Sequence, residues 1–467
     1  MKITALFFSF LFFNSFLFAQ LGTLDESFDV GTGANAEVKI IAVQPDGKIL
    51  MGGGFTEYNG FSQNRLIRLF PDGSVDESFN IGSGPSGIVN QIKVLEDGKI
   101  LIAGAFSAYN GTPRKFMAKL NPNGSIDNSF NTQDNTNISS TVEDFHVLPD
   151  GKILMVGNIA NFNDTGINYL VKLNPDGSLD TSFQQGEGFN YPIQTVDVQS
   201  DGKIIVGGNF TTYNNQEVRY IARLLNDGSL DATFNPGGTG PGNKVTSVKI
   251  LDDDKILIGG GFVSYNNQSF QGFIRLNPDG TRDMDFEEAG GVVSSAHQIL
   301  IQPDNKIIIA GSYTYLSSGY PRSLMRLNEN GSKDIEFDTG IGEGPNTILY
   351  TCALQNDGKI LIGGNFTKYD GTNIKRVARI NGDFTMNVSD EMNHDVKVYP
   401  NPTNQSIQIS STQNWEEYAI FSLAGKLLEK GDYEKNKNIS VAHLPKGVYI
   451  IRLSGENFLE SSSFIKN

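Results

Sequence analysis

Pro45-Asp46-Gly47-Lys48-Ile49-Leu50-Met51-Gly52-Gly53-Gly54-Phe55 is a stretch that the chain writes seven times with small changes. Its lysine returns as Lys48, Lys99, Lys152, Lys203, Lys255, Lys306 and Lys359, at spacings of 51, 53, 51, 52, 51 and 53 residues. A second marker, the Phe of Asp-x-x-Phe, keeps the same period as Phe28, Phe79, Phe130, Phe183, Phe234, Phe286 and Phe337. Two independent markers with one period establish an internal repeat, which decides the architecture before any local element does.

Each repeat reads as four short strands. Val38 to Val43 alternates apolar and polar residues, and Asp46-Gly47 supplies the positive φ of a tight hairpin. Strand b follows from Lys48 to Phe55, then a Tyr58-Asn59-Gly60 loop, strand c from Arg65 to Leu69, the Pro71-Asp72-Gly73 turn, and a short strand d ending at Phe79. No segment keeps a 3.6-residue apolar period. Four-strand units of this length predict the blades of an all-β, seven-bladed β-propeller. The alternative, a stacked solenoid, needs atypical caps. The first Asp-x-x-Phe precedes any strand a, and the last repeat stops after Arg376 to Ile380. The N-terminal strand is therefore expected to complete blade seven and remove the open sheet edges. In this order the Tyr-Asn-Gly loops and Gly-rich connections should share one face and the Asp-Gly turns the other.

The Asp-Gly-Lys-Ile turn, the Gly-Gly-x-Phe strand and Leu173-Asn174-Pro175-Asp176-Gly177-Ser178 resemble the delta-60-type β-propeller repeat of secreted bacterial proteins, over Leu21 to Asn381. The repeat departs from that pattern at Asp254, Asn305 and Ile159. The resemblance implies a propeller and no particular activity.

Both ends read as addresses. Lys2, an apolar run from Ile3 to Phe18 and Ala19 have the form of a secretory signal peptide, residues 1–19. No other run is long and apolar enough to span a membrane, so no span is expected in the mature protein. The propeller then occupies 20–381 and a polar linker 382–395. Residues 396–467 carry Tyr399-Pro400-Asn401-Pro402, Leu423-Ala424-Gly425-Lys426, Gly447-Val448-Tyr449 and Lys466. This block resembles the type A C-terminal sorting domain of the type IX secretion system of Bacteroidota. The resemblance implies a small β-sandwich, the translocon and sorting machinery as partners, and an extracellular or surface-attached passenger.

Composition narrows the function. The net charge is −15, and the sorting block carries 8 Lys/Arg against 7 Asp/Glu, so the acidity belongs to the propeller. An acidic surface argues against nucleic acid. One Cys excludes an intramolecular disulfide, the four His share no metal-binding spacing, and Asp252-Asp253-Asp254 lacks the pattern of a calcium loop. No cofactor or metal is expected, and no catalytic motif is present. A residue repeated in every blade serves the blade; that covers Gly53 and its six equivalents, Asp76 and its six equivalents, and the loop aromatics such as Tyr58. Cys352 stands where other blades have Ile41, Ile92 or Val196, as a small hydrophobe. One strand-a column varies instead: Ala42, Lys93, His146, Asp197, Lys249, Leu300 and Ala353. It is expected to approach the central channel, where Lys93, His146, Asp197 and Lys249 are candidate ligand-binding residues, together with Tyr191 on a variable connection. The leading function is a non-catalytic binding module for a glycan or protein; the alternative is a hydrolytic propeller enzyme.

Overall fold

The computed structural model describes residues 20–466 except 133–139, 185, 271, 288–290, 316–320, 383–395, 412–414, 423–426, 436 and 455–458. The signal segment, most of the linker and the Leu423–Lys426 turn lie outside the described residues.

Seven antiparallel sheets are arranged in a ring. In blade one, strand a (Val38–Val43) pairs with strand b (Ile49–Gly53), which pairs with strand c (Leu66–Leu69). Blade seven repeats this with Leu349–Leu354, Ile360–Gly364 and Val377–Ile380. Strand a of blade one touches strand a of blade two and strand a of blade seven, so the ring is closed. Its core is not central. Apolar side chains fill the seams between blades, as where Leu50 and Leu66 of blade one meet Val89 and Ile102 of blade two. The closing seam is of the same kind, with Phe28, Val38 and Met51 against Leu361 and Val377.

The N-terminal segment completes blade seven. Leu24 bridges Ile380, as Val75 bridges Leu69 within blade one. Asp25 N–H donates to Arg379 O at 2.9 Å, and the Tyr369 hydroxyl donates to Gly22 O at 2.5 Å.

The two repeat markers prove to be parts of one knot. In blade one the Asp76 carboxylate accepts from Arg68 Nε at 2.8 Å, lies 3.1 Å from Lys48 Nζ, and caps its own turn by accepting from Ser78 N–H and Oγ. The Arg68 guanidinium lies over the Phe79 ring, and its Nη1 donates to Pro122 O of the next blade. Burial alone would raise the Asp76 pKa, but Ser78, Lys48 and Arg68 bring it down to about 2. Asp25 with Lys359 and Arg379 rebuilds the knot across the ring closure. Blades two and three carry Lys119 and Lys172 in place of the arginine, and there Asp127 and Asp180 are held by Lys99 and Lys152 together with the turn residues Ser129 and Ser182.

The repeated strand glycine also has a visible cause. In every blade the a–b ladder carries a bulge, between Val38 and Ile40 in blade one. The bulge tips a carbonyl toward the glycine: a Cβ on Gly53 would lie 2.1 Å from Glu37 O, and one on Gly260 2.2 Å from Lys244 O. The turn residues that replace glycine, Asp254 and Asn305, hold φ of 61° and 64°, which short polar side chains tolerate. Asp254 also accepts from Ser200 N–H of the neighbouring blade at 2.7 Å, which gives this member of the acidic run a structural task.

Four expectations need correction. Strand d is a single bridge, because the Asp76 side chain turns the chain immediately after Val75. The Tyr-Asn-Gly segment is a hairpin of its own, Glu57–Tyr58 with Phe61–Ser62. It still sits with the Gly-rich connection, where Ala34 bridges Tyr58 and Asn59 N–H donates to Gly33 O at 2.9 Å, and the buried Tyr58 and Tyr109 hydroxyls reach Gly73 O and Gly124 O in the turns between strands c and d, so these rings serve blade packing. In blade six no such separate hairpin is found among the described residues; strands a and b run on as Gly291–Ile301 and Ile307–Tyr315. Finally, one short helix, Ile335–Ile341, replaces the last Asp-x-x-Phe turn, with Asp334 as its N-cap.

The C-terminal block packs two sheets around one core. Lys397–Tyr399, Ser406–Ser410 and Ile439–Ser440 form the first; Leu427–Asp432, Glu417–Ser422, Gly447–Ser454 and Leu459–Lys466, in that spatial order, form the second. Ile407 and Ile409 meet Ile420, Ile451 and Phe464 between them.

Candidate functional site

The bulge that demands the glycine also builds a site. It inserts one extra residue into each innermost strand: Lys39, Asn90, Glu143, Gln194, Thr246, His297 and Tyr350. All seven line the central channel, in a cavity of about 340 Å³. That volume is at the small end of the range for small-molecule sites. The sequence reading missed this column. Its signal was the strand glycine, since a glycine paired with an alternating strand marks a bulge that shifts the alternation by one.

In five blades the next residue down the strand, Gln91, Asp144, Thr195, Gln298 or Thr351, bonds a neighbouring blade, while in blade one it is the apolar Ile40. Asp144 accepts from Gln91 Nε2 at 2.9 Å, from Thr195 Oγ1 at 3.2 Å and from Val196 N–H at 3.1 Å. Gln298 accepts from Cys352 N–H at 2.8 Å, and Thr351 from Ile41 N–H at 3.1 Å across the closing seam. Innermost strands of adjacent blades share no ladder, so side chains satisfy their facing N–H groups. Burial pushes the Asp144 pKa up despite those bonds. The Cys352 thiol is buried and pushed up to about 12, which leaves it a packing group.

Of the column expected to face the channel, Ala42, Leu300 and Ala353 pack against the apolar seams, whereas Lys93, His146, Asp197 and Lys249 are in the wall of this cavity. Three of them meet. His146 Nδ1 is 3.1 Å and Lys249 Nζ 3.5 Å from the Asp197 carboxylate, which also accepts from Val198 N–H at 3.0 Å and Ile250 N–H at 2.9 Å. Burial works to raise the Asp197 pKa, and His146, Lys249 and the Ile250 amide outweigh it and lower it to about 2. Lys93 is exposed to the channel and has no ion-pair partner among the described residues. Across the channel Lys39 Nζ sits 3.5 Å from the centre of the Tyr350 ring, and His297 packs edge-on to that ring. Burial, with Lys39 and Lys244 nearby, lowers the His297 pKa to about 4, so the imidazole is neutral at pH 7. Burial raises the Glu143 pKa.

Tyr191 is not in the cavity wall. It stands two residues ahead of strand a in blade four, 55% exposed, beside Asn190, whose amide is occupied with Thr211 and Thr212.

The sorting-block residues assemble around the last strand. Asn401, between Pro400 and Pro402, donates to Ser463 O at 3.0 Å and accepts from Ile465 N–H at 2.8 Å. Gly447, Val448 and Tyr449 pair with Lys466, Ile465 and Phe464. Tyr399, Val448 and Ile465 remain substantially exposed.

Comparison with known proteins fits this division. The family model described as "Domain of unknown function (DUF5122) beta-propeller" matches seven times, at 44–79, 95–130, 148–183, 199–234, 251–286, 302–337 and 355–385. The "Secretion system C-terminal sorting domain" matches 397–467. No curated protein matches the sequence. Among solved structures, the chain is 11% identical to the extracellular domain of a hybrid two-component system from B. thetaiotaomicron, with a TM-score of 0.43 over 94% of this chain. It spans only 56% of that domain's length. The WD40 β-propeller domain of Doa1 is 15% identical, with a TM-score of 0.43, 78% of this chain covered and 97% of that one. A catalytically inactive virginiamycin B lyase from Staphylococcus aureus is 11% identical, with a TM-score of 0.40, 75% of this chain covered and 96% of that one. The sorting domain directs type IX export to the cell surface or the extracellular space, and among the described residues no helix is long and apolar enough to cross a membrane. Seven matched repeats on seven observed blades make this chain a member of the DUF5122 β-propeller family that carries a secretion-system sorting domain.

Proposed function

We propose that the exported propeller is a non-catalytic recognition module that takes the end of a saccharide into the mouth of its central channel. One observation carries this reading. The blades repeat their scaffold residues almost without change, yet the seven bulge residues that meet in one cavity are all different. They are an ammonium, two amides, a carboxyl, a hydroxyl, an imidazole and a phenol. Such a set hydrogen-bonds a polyhydroxylated ligand from all sides and offers little apolar floor to a hydrophobic one.

The hydrolytic alternative draws on Glu143 and Asp197, whose pKa values are displaced in opposite directions. Asp197 is a poor nucleophile here. Its carboxylate offers about four acceptor positions, and His146, Lys249 and two backbone amides occupy four. A glycan array probed with the full mature chain tests the reading. Binding should be found and should be lost in Gln194→Ala and Tyr350→Ala while the melting temperature holds. Turnover of a bound glycan that vanishes in Glu143→Gln would replace this reading with the enzymatic one.

A further inference from the structure

The acids and bases of the channel are used differently. Asp144 and Asp197 are turned into the wall, where each bonds the strand of the next blade through Val196 N–H and Ile250 N–H. The lysines keep their charge toward the open space. Lys93 is exposed without an ion-pair partner among the described residues, and Lys249, 44% exposed, shares Asp197 with His146. Lys39 leans on the Tyr350 ring at the mouth. Glu143, near Lys39, is the one channel carboxyl among the described residues that is not tied to a neighbouring blade's backbone. The cavity thus holds three lysines against three carboxyls, Glu143, Asp144 and Asp197, but two of the carboxyls face the wall while Lys93 and Lys249 face the open space. Low-dielectric walls focus such a field on whatever enters.

Resting on the saccharide reading above, we propose that the channel ligand is an acidic sugar residue whose anionic group lies on the Lys93–His146–Lys249 side. His146, whose Nδ1 donates to Asp197, offers Nε2 as an acceptor for a neighbouring sugar hydroxyl, and Lys93 and Lys249 carry the anion. The Asn90 amide donates to Val142 O at 2.9 Å and the Thr246 hydroxyl to Ala296 O at 2.7 Å, so these two offer only acceptor oxygens to the sugar, and Gln194 is the uncharged side chain placed to donate to its hydroxyls. A carboxylate and a sulfate ester satisfy this chemistry alike.

Isothermal titration of the full mature chain with three matched oligosaccharides tests it: one ending in galacturonate, one in 6-sulfated galactose and one in galactose. At least one acidic form should bind about tenfold or more tightly than the neutral form, as one charge-assisted bond implies. Lys93→Met should bring the acidic affinity down to that of the neutral form measured in the same variant, and 0.5 M salt should weaken the acidic ligand more than the neutral one. Lys249→Met is the second variant; Asp197 keeps His146 and both amides in it. Equal affinity for acidic and neutral forms, or a preference that survives both lysine variants, overturns the acidic assignment while the saccharide reading stands. If no form binds, or binding ignores Gln194→Ala and Tyr350→Ala, the channel reading itself falls and the acidic assignment with it.

Discussion

Asp25→Ala should weaken the propeller far more than the equivalent change in blade two. Asp25 lies near the start of the described chain, yet it carries the charge knot of the last blade. Its carboxylate accepts from Arg379 Nε at 2.6 Å, from Lys359 Nζ at 2.7 Å, and from Ser27 N–H and Oγ at 3.1 and 2.7 Å. The Arg379 side chain is only 6% exposed. Truncating Asp25 leaves that guanidinium buried with Pro71 O, the Gln355 amide oxygen, the Ser27 hydroxyl and the Phe28 ring but no counter-charge, and breaking a buried pair from one side costs about 3–5 kcal/mol. For a unit of this size about 2 °C is lost per kcal/mol, so the melting temperature should fall by roughly 6–10 °C. Asp127→Ala is the internal control. Its partner is Lys99, about one-third exposed, and strand c there carries Lys119 where blade seven has Arg379. That loss should cost only about 1 kcal/mol. Differential scanning calorimetry of the three proteins gives the comparison directly. Adding Arg379→Met to Asp25→Ala should recover part of the loss, because no unpaired charge is then left buried. Equal destabilisation by Asp25→Ala and Asp127→Ala, or no effect of the first, would refute the latch.

Removing Leu21 to Phe28 should exceed even Asp25→Ala, since it also uncovers Ile380 and strips Phe28 from the closing seam; an unchanged calorimetric transition would contradict ring closure. Gly53→Ala should destabilise strongly in chemical denaturation, because the new Cβ meets the Glu37 carbonyl, whereas Gly60→Ala meets nothing within 4 Å and should cost only its turn strain. Asp76, Asp127 and Asp180 have folded pKa values lowered to about 2 against about 3.9 unfolded, so the stability they lend is full above pH ~4 and lost as pH falls toward 2; the melting temperature should track that window. Deleting Val396 to Asn467 should leave a folded propeller in the periplasm, checked by fractionation, and normal surface levels would contradict the sorting role.

What could be read from the sequence follows from what repeats. Seven copies of Asp-Gly-Lys and Asp-x-x-Phe declare seven blades, and the split of one unit between the chain ends declares the closure that Leu24 and Ile380 make. The pairing of the two markers through Arg68 was not legible, because nothing in a linear pattern says that Lys48 and Asp76 meet in space. Strand d was over-read because Ser74-Val75-Asp76 looks like the start of a strand, while the Asp76 carboxylate competes for the very amides a strand would use. Blade six was over-regularised for a similar reason: its Tyr313 to Tyr315 segment looks like the hairpin of its neighbours but continues strand b.

The channel shows why only part of its wall was legible in the sequence. Lys93, His146, Asp197 and Lys249 stand out because they break an apolar column, and a break in a repeat is visible without a structure. Lys39, Asn90, Glu143, Gln194, Thr246, His297 and Tyr350 do not break anything, because their column starts one residue out of phase. The phase shift comes from the carbonyl that packs on Gly53 and its equivalents. The glycine was therefore read correctly as scaffold, and its consequence was left undrawn: a scaffold residue fixes the bulge, and the bulge turns an unconstrained side chain into a common cavity. A blade needs nothing from that side chain, so the seven copies are free to differ, and the proposed recognition site rests on that difference rather than on any single residue.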